Sequence, residues 1–446
     1  MLILISTLFY ADFAYDLVRT DYTKLIAVYA ILMFFFLMLP KLSKKNYGLL
    51  AITAILFRLI FIVATPNLSQ DFYRFIWDGR MILEGMNPYL YTVETFIGDN
   101  QFPVNQAKEL YDGMGQLNAS HYSNYPPLNQ LCFVIAGLFA GKSILGSVVV
   151  MRLLIIAADI GTLYFGKKLL ERLKIPVDRI FWYILNPFII IELTGNLHFE
   201  GVMIFFLVWS LYLLHKGKWQ WAAVVFALSV SIKLIPLMFL PLFWQWFTKE
   251  KSGKAWLPSL AGIKRLVGFY SIVGLVTILM FLPFYSSNLV TNYTGTVGLW
   301  FQNFEFNASL YYIAREIGYS FRGFNEIAII GAYIPKVVIV IVLLITFLRK
   351  NKTMPQFITA MLLVLSFYFF TATTVHPWYI ATLLFLSVFT TYRFPLVWSF
   401  VIILSYLAYA NNANEENLWI IGIEYIIVYT VLIWDLLSIK KNSKVR

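Results

Sequence analysis

The feature that most constrains this chain is a recurring block of apolar residues, each about 16 to 22 residues long, close to the length with which a helix crosses a bilayer. Lipid satisfies no backbone hydrogen bonds, so such blocks must be helical. The clear blocks are residues 24–40, 47–65, 148–166, 199–215, 266–285, 328–348, 354–373, 394–410 and 418–438. The weaker blocks are residues 1–15, 126–141, 180–196, 219–235 and 377–392. The pattern predicts an all-α polytopic membrane protein, a bundle of roughly 12–14 transmembrane helices.

Composition agrees with this fold class. The chain is 60% hydrophobic and 13% charged, whereas a soluble domain is about half apolar and about a quarter charged. No internal repeat or low-complexity tract divides the chain, so we expect a single integral membrane domain over residues 1–446. The first block has no basic residues before it, which favours a retained helix over a signal peptide. The single cysteine, Cys132, excludes an internal disulfide.

The net charge of +12 reflects membrane topology rather than nucleic-acid binding, because the cations fall in short loops. Basic clusters lie at residues 41–45, 249–265, 349–352 and 440–446. The positive-inside rule places these loops in the cytoplasm. The connections at 66–125, 286–325, 374–378 and 411–417 should then be extracytoplasmic. We expect a multi-pass integral membrane protein.

One region does not fit a simple alternation. The loops at 167–179 and 215–218 both carry cations, yet two full crossings between residues 125 and 167 would put the first of them outside. Either the block at 126–141 re-enters without crossing, or the charge rule fails there. The first alternative makes residues 219–247 a hairpin broken at Pro236 and Pro241, and we favour it.

The longest polar connection opens with the stretch "SQDFYRFIWDGRMILEGMNPYLY", residues 69–91. Ser69 is a plausible N-cap and Gly85 a plausible helix end. Asp71, Arg74 and Asp78 are spaced three and four residues apart, so they share one face of the predicted amphipathic helix. That face should present two carboxylates away from the bilayer. The alternative is a surface ladder of Asp–Arg–Asp ion pairs with no further role.

About sixty residues, 66–125, are thus held outside between two apolar blocks. Loops of this length usually carry function. We therefore interpret 66–125 as an extracytoplasmic catalytic loop and 286–325 as a second extracytoplasmic loop.

The stretch "QDFYRFIWDGRMILEGMNPYLY" resembles the first extracytoplasmic loop of the polyprenyl-phosphate-sugar-dependent glycosyltransferases of the GT-C superfamily. It is most similar to bacterial polyprenyl-phosphate-mannose-dependent mannosyltransferases, which share the pattern D-x-Y-R-Y-x-W-D-G…G-x-N-P-Y. Further segments agree in order: "YPPL" at 125–128, "NPFIIIELTGNLHFEG" at 186–201, "SIKLIPL" at 231–237, "FNASLYYI" at 306–313 and "HPWYI" at 376–380. The resemblance covers roughly residues 50–390.

The resemblance implies an inverting transferase that moves a sugar, mannose by analogy, from a polyprenyl phosphate to an extracytoplasmic glycan or lipid-linked acceptor. It also implies a protein of the bacterial plasma membrane with its active site facing outside. It places the catalytic acidic residue, which takes the proton of the acceptor, at Asp71, and Asp78 is the second carboxylate candidate. Two positions depart from the family. There is no D-x-D motif, so no cofactor is assigned. A divalent metal remains an alternative that no motif supports. Asn124 stands where some relatives have an Asp before "YPPL".

Transfer from a lipid phosphate requires cations that hold the leaving group. The candidates are Arg74, Lys233, Arg315 and His376. Lys233 lies late in an apolar block, where a cation is costly and usually functional, although it could also snorkel to the surface. Arg315 could instead pair with Glu305 or Glu316, and His376 could be an ordinary interfacial histidine.

The remaining binding candidates are polar or aromatic residues near the predicted outer surface. They are His198 and Glu200, which could otherwise form a local hydrogen bond, and Trp77, Tyr125 and Trp378, which could stack on sugar faces. Aromatic residues are also enriched at membrane interfaces without contacting substrate. A polytopic transporter or lipid-linked-sugar flippase is the main alternative, although no paired repeat supports it. A scaffold subunit would not need Lys233. The partners expected are the lipid donor, the acceptor and membrane lipids, with no nucleic acid.

Overall fold

The computed structural model describes residues 1–43, 46–248, 259–302, 304–411 and 413–444. Lys44, Lys45, Lys249, Lys251, Lys254 and Arg446, which belong to the predicted cytoplasmic clusters, lie outside these residues. The described chain is helical, apart from one isolated bridge between Phe306 and Thr374. The predicted all-α class is confirmed.

The helices follow in chain order. The first group is α1 (Leu2–Tyr15), α2 (Tyr22–Leu42), α3 (Tyr47–Ile60), α4 (Asp71–Leu83), α5 (Val93–Gly98), α6 (Ala107–Ala119) and α7 (Pro127–Ala140). The second is α8 (Ile144–Leu173), α9 (Phe181–Ile184), α10 (Pro187–Ile189), α11 (Glu200–His215), α12 (Trp219–Ile232) and α13 (Phe243–Thr248). The third is α14 (Leu260–Phe281), α15 (Leu289–Gln302), α16 (Leu310–Arg322), α17 (Ile327–Leu348), α18 (Met354–Thr371), α19 (Ile380–Ser387), α20 (Phe394–Val401) and α21 (Leu418–Lys444).

Tighter or wider turns join several of these helices. Residues Ile190–Gly195 form a π-helical turn, and short 3₁₀ segments run over Val177–Ile180, Ile235–Leu242, Leu282–Phe284, Pro377–Tyr379 and Ile402–Ala410.

Six helices of the described chain are long and apolar enough to cross a bilayer. They are Tyr22–Leu42, Ile144–Leu173, Leu260–Phe284, Ile327–Leu348, Met354–Thr371 and Leu418–Lys440. Pro187–Gly195 and Glu200–His215 would make a seventh, bent by 113°. Seven shorter apolar helices are also present, and all but Ile235–Thr248 occupy the other predicted blocks: Leu2–Tyr15, Tyr47–Ile60, Pro127–Ala140, Trp219–Ile232, Ile235–Thr248, Pro377–Ser387 and Phe394–Ala410. The polytopic architecture is therefore as predicted, but about half of the predicted crossings are short helices, several of them beginning next to a proline.

Helix α4 contains the opening stretch and lies under other elements rather than on the surface. Its first residue is Asp71, Gln70 takes the N-cap position, and Gly85 follows the helix in a left-handed conformation with φ of 76°. The Ser69 hydroxyl, predicted as the cap, accepts from the Asp71 backbone N–H at 3.3 Å. Gly79 packs so tightly on α7 that an added Cβ would lie 2.4 Å from the Phe133 carbonyl oxygen. This contact fixes α4 against the helical core.

One buried arginine, Arg152, organises the bend before α11. Arg152 donates to the carbonyl groups of Ile62, Ala64, Thr194 and Gly195, at distances of 2.8 to 3.0 Å. A charge removed from water is tolerated when its donors are satisfied in this way. These bonds join the end of α3 to the π-helical turn, so they set the direction in which α11 begins.

The second break lies at Lys233. Helix α12 ends at Ile232, and Lys233 has extended backbone angles of −147° and 141°. A 3₁₀ segment that includes Pro236 and Pro241 follows. The predicted interruption is present, but it starts at the lysine itself, ahead of both prolines. Whether the two parts form a hairpin across the membrane stays a prediction.

Candidate active site

A cavity of about 900 Å³ lies where the two breaks and the amino-terminal end of α4 meet. Its walls come from distant parts of the chain. The first half contributes Arg19, Asp71, Asn118, Tyr125, Glu200 and Lys233, and the second half contributes Glu305, Phe306, Tyr312, Arg315, His376, Trp378, Tyr409 and Glu416. Small-molecule sites in proteins are typically concave and of this size.

Asp71 lies at the start of α4 and faces the cavity. Its Oδ1 accepts a hydrogen bond from the Asn118 side-chain amide at 3.3 Å. Burial raises the pKa of Asp71 above its ordinary value, while the charge of Lys233 and the Asn118 hydrogen bond lower it in part. A carboxylate with a raised pKa binds a proton more readily, as a general base must.

Lys233 forms an ion pair with Glu200 across the same cavity. Its Nζ lies 3.0 Å from Glu200 Oε1, and 5.6 Å from the centre of the Tyr125 ring. The Glu200 side chain is 1% exposed and the Lys233 side chain 22%, so the ammonium is the more accessible partner. The Lys233 ammonium therefore pairs with a buried carboxylate and is still accessible to a ligand in the cavity. The alternative reading, in which it snorkels away from the protein, does not fit this geometry.

Four rings are stacked one on the next at one wall of the cavity. The centroids of His198 and Trp378 are 3.7 Å apart, those of Trp378 and His376 are 4.6 Å apart, and His376 stacks in turn on Phe306. Trp378 therefore stacks on two histidine rings and also lines the cavity. Its contact with a sugar stays a prediction.

His376 also differs from its expected role as a phosphate-binding cation. Burial, and to a lesser extent the nearby charge of Lys233, lower the pKa of His376 to about 3. The ring is uncharged at neutral pH, so at this wall it offers a neutral imidazole.

Arg315 faces the cavity from α16, but it is held by acidic neighbours. Its guanidinium lies 2.6 Å from Glu305 and 3.1 Å from Glu316. Both pairings considered from the sequence are present. Tyr312, one turn earlier, donates to the Glu416 carboxylate. This wall is therefore a network of ion pairs and hydrogen bonds.

Arg74 and Asp78 do not line the cavity. Arg74 Nε donates to Asp78 Oδ1 at 2.8 Å, and Asp78 also accepts from Ser123 and Gln130 at 2.5 and 3.1 Å. Arg74 Nη1 donates to the backbone carbonyl of Asn118 at 2.6 Å. Asp78 is fully buried beneath α6 and α7, which corrects the expectation that both carboxylates point outward. The pair braces the carboxyl-terminal end of α6, which brings Asn118 to Asp71.

Two aromatic candidates also lie behind the wall. Trp77 is completely buried and donates to the Met81 sulfur at 2.9 Å, so it does not meet a sugar. His198 lies beneath Trp378, with its Nε2 3.8 Å from Glu192. It supports the ring stack from inside the protein.

Sequence reasoning missed several cavity residues. The guanidinium of Arg19 lies 4.3 Å from the centre of the Tyr409 ring, and Asn118 and Glu416 complete two of the walls. A single arginine between α1 and α2 carries no motif that would identify it. Within the described residues, no three histidine, cysteine, aspartate or glutamate side chains are grouped as metal ligands would be.

Comparison with known proteins assigns the chain to a family. A sequence profile described as "Alpha-(1->6)-mannopyranosyltransferase, N-terminal domain" matches residues 14–248, which is more than half of the chain. The chain belongs to this family. The predicted resemblance to bacterial mannosyltransferases is thereby confirmed, and the match starts before residue 50. The segments "FNASLYYI" and "HPWYI" lie beyond its end.

A curated relative points in the same direction. The chain is 20% identical over 199 residues to "Alpha-(1->6)-mannopyranosyltransferase A" of Mycobacterium tuberculosis. The aligned part covers 44% of this chain and 37% of the mycobacterial protein. Asp71, Glu200 and Lys233 all fall within the family match, whereas Arg315, His376 and Trp378 lie after it.

Proposed function

We propose that this protein is an inverting mannosyltransferase that uses a polyprenyl-phosphate sugar as donor. The observation that carries the proposal is the placement of Asp71 and Lys233 on the walls of one cavity. A base and a cation facing a shared space are the two groups that transfer from a lipid phosphate requires. Membership of the mannosyltransferase family supports mannose as the sugar.

In the proposed reaction, a hydroxyl group of the acceptor attacks the anomeric carbon of the donor. The bond between that carbon and the phosphate oxygen breaks, and polyprenyl phosphate leaves with the electron pair. Asp71 accepts the hydroxyl proton as the new glycosidic bond forms. Attack opposite to the leaving group in a single step inverts the configuration, through an oxocarbenium-like transition state.

Lys233 acts on the leaving group. Its ammonium is a compact point charge, a type of group suited to phosphate. It is more exposed than the Glu200 carboxylate with which it pairs, so a phosphate group in the cavity can reach it. Asn118 holds Asp71 by one oxygen, which leaves the other oxygen for the acceptor proton. We further propose that the cavity opens on the extracytoplasmic side of the plasma membrane and takes a glycan or a lipid-linked acceptor.

A donor panel tests this function. Purified protein in lipid nanodiscs is given polyprenyl-phosphate mannose, glucose or galactose together with short mannosides as acceptors. We expect release of polyprenyl phosphate and formation of a longer mannoside from the mannose donor only. Transfer from a nucleotide sugar alone, or equal turnover by Asp71→Asn, would contradict the proposal.

A further inference from the structure

Helix α16 has an apolar face that no other part of the described chain covers. At about 100° per residue, Leu310, Ile317 and Phe321 lie along one side of the helix, with Ile313 beside them. All four side chains are exposed, Phe321 to 83% and Ile313 to 61%. Such a face is unfavourable in water because it leaves a large apolar surface exposed to solvent.

The opposite face of α16 is fixed to the protein. Tyr311 and Tyr312 are buried, and Arg315 pairs with Glu305. Tyr312 and Arg315 are also part of the cavity wall. The orientation of the helix is therefore set by polar contacts, and its apolar side is left facing outward.

The helix is too short and too polar to be a membrane span. Its 13 residues extend over about 20 Å, against the roughly 30 Å of a hydrocarbon core. Only residues 323–326 separate it from α17, which is strongly apolar, with a mean hydropathy of 2.7 over its most apolar stretch. Gly323 makes the turn between them with φ of 77°. This short connection places α16 at the level where a lipid-exposed span leaves the bilayer.

We propose that α16 is an interfacial helix whose apolar face is seated in the lipid leaflet at the end of the membrane where α17 begins. Helices with this pattern lie in the plane of the interface, with the apolar face buried about 5–10 Å into the headgroup and acyl boundary. The same helix carries Tyr312 and Arg315, so the rim of the cavity is held at the bilayer surface. The inference concerns membrane contact and does not depend on the transferase reaction.

Spin labels on two faces of the helix test this seating in the full-length protein. Phe321→Cys and Tyr319→Cys are each introduced with Cys132→Ala, labelled with a nitroxide and reconstituted in vesicles of phosphatidylcholine and phosphatidylglycerol. Tyr319 lies two residues from Phe321 and almost opposite to it, and its side chain is 42% exposed despite the protein contacts of its neighbours, which makes it a matched control. We expect the ratio of oxygen to water-soluble nickel accessibility to be several-fold higher at 321 than at 319.

Two outcomes would overturn the inference. If nickel reaches position 321 as readily as position 319, the helix stands in water. If neither oxygen nor nickel reaches position 321, protein rather than lipid covers the face, for instance a second copy of this chain. Ile317→Cys repeats the measurement one turn earlier, so a local disturbance at 321 cannot imitate either result.

Discussion

Lys233 and Glu200 show how a single contact changes the meaning of a residue. From the sequence, the lysine is a charge without an identified partner in an apolar block, which costs free energy. Its removal would therefore not be expected to impair folding. In the structure its Nζ lies 3.0 Å from a carboxylate that is almost completely buried. Removing the lysine leaves that carboxylate without its ion partner, which destabilises a protein. The pair therefore contributes to stability as well as to the proposed chemistry.

Lys233→Met should separate these two roles when it is combined with a partner change. We expect the single variant to lower the thermal midpoint of unfolding and to weaken donor binding by roughly 10- to 100-fold, the loss of one charged hydrogen bond. The double variant Lys233→Met with Glu200→Gln removes both charges, so it should recover stability but not binding. Binding is measured by titration with polyprenyl-phosphate mannose, and stability by intrinsic fluorescence. Wild-type affinity in the folded double variant would exclude Lys233 as the phosphate ligand.

The pH dependence of turnover reports on Asp71. A general base acts when deprotonated, so kcat/KM should rise with pH through the pKa of Asp71, which burial places above the ordinary value. The charge of Lys233 lowers this pKa and that of Glu200 raises it. The acid limb should therefore move to higher pH in Lys233→Met and to lower pH in Glu200→Gln. Limbs that stay in place in both variants would mean that another group titrates.

At the scale of elements, the site depends on how closely α4 lies against α7. The approach at Gly79 has no room for a methyl group next to the Phe133 carbonyl oxygen. The buried Arg74–Asp78 pair lies on the same helix and holds the end of α6 that carries Asn118. The position of Asp71 at the cavity therefore follows from packing behind it.

Gly79→Ala tests this dependence. The added methyl group must push α4 away from α7, an overpacking that costs typically 1–3 kcal/mol. We expect a lower midpoint of thermal unfolding and reduced turnover. Gly98→Ala is the matched control, because nothing lies within 4 Å of the Cβ position there. If both variants unfold at the wild-type temperature, α4 can shift without cost and the argument from packing fails.

At the scale of the whole molecule, local patterns predicted the elements, and distant contacts decided the site. Apolar blocks predicted an all-α membrane protein, because helix length is a local property. An interruption at Pro236 and Pro241 was predicted from the prolines, which are also a local signal, and the structure begins it a few residues earlier, at Lys233. The stack of His198, Trp378 and His376 joins residues about 180 positions apart, and no local pattern contains it. Arg19 and Glu416 entered the cavity in the same way, through the folding of the two halves against each other.

The sidedness of the membrane is a prediction of the charge pattern, and cysteine labelling tests it. Gly98 is exposed in the first long loop, and Ser43 lies in the first basic cluster. In intact cells an impermeant maleimide should label Gly98→Cys, while Ser43→Cys should react only after the cells are permeabilised. Cys132 is buried and should give little background. Labelling of Ser43→Cys alone in intact cells would reverse the topology.

The central claim is that Asp71, and not Asp78, takes the proton of the acceptor. The two residues are matched by type and lie on the same helix, but Asp71 faces the cavity and Asp78 is buried with Arg74. Asn keeps the shape of the side chain and removes the proton acceptor. Turnover of polyprenyl-phosphate mannose by Asp71→Asn and Asp78→Asn is the direct measurement. We expect a loss of about 10²- to 10⁴-fold for Asp71→Asn, the usual contribution of a general base. We expect a smaller loss of turnover, accompanied by lower stability, for Asp78→Asn. Near-normal turnover by Asp71→Asn together with a folded but inactive Asp78→Asn would exclude Asp71 as the base.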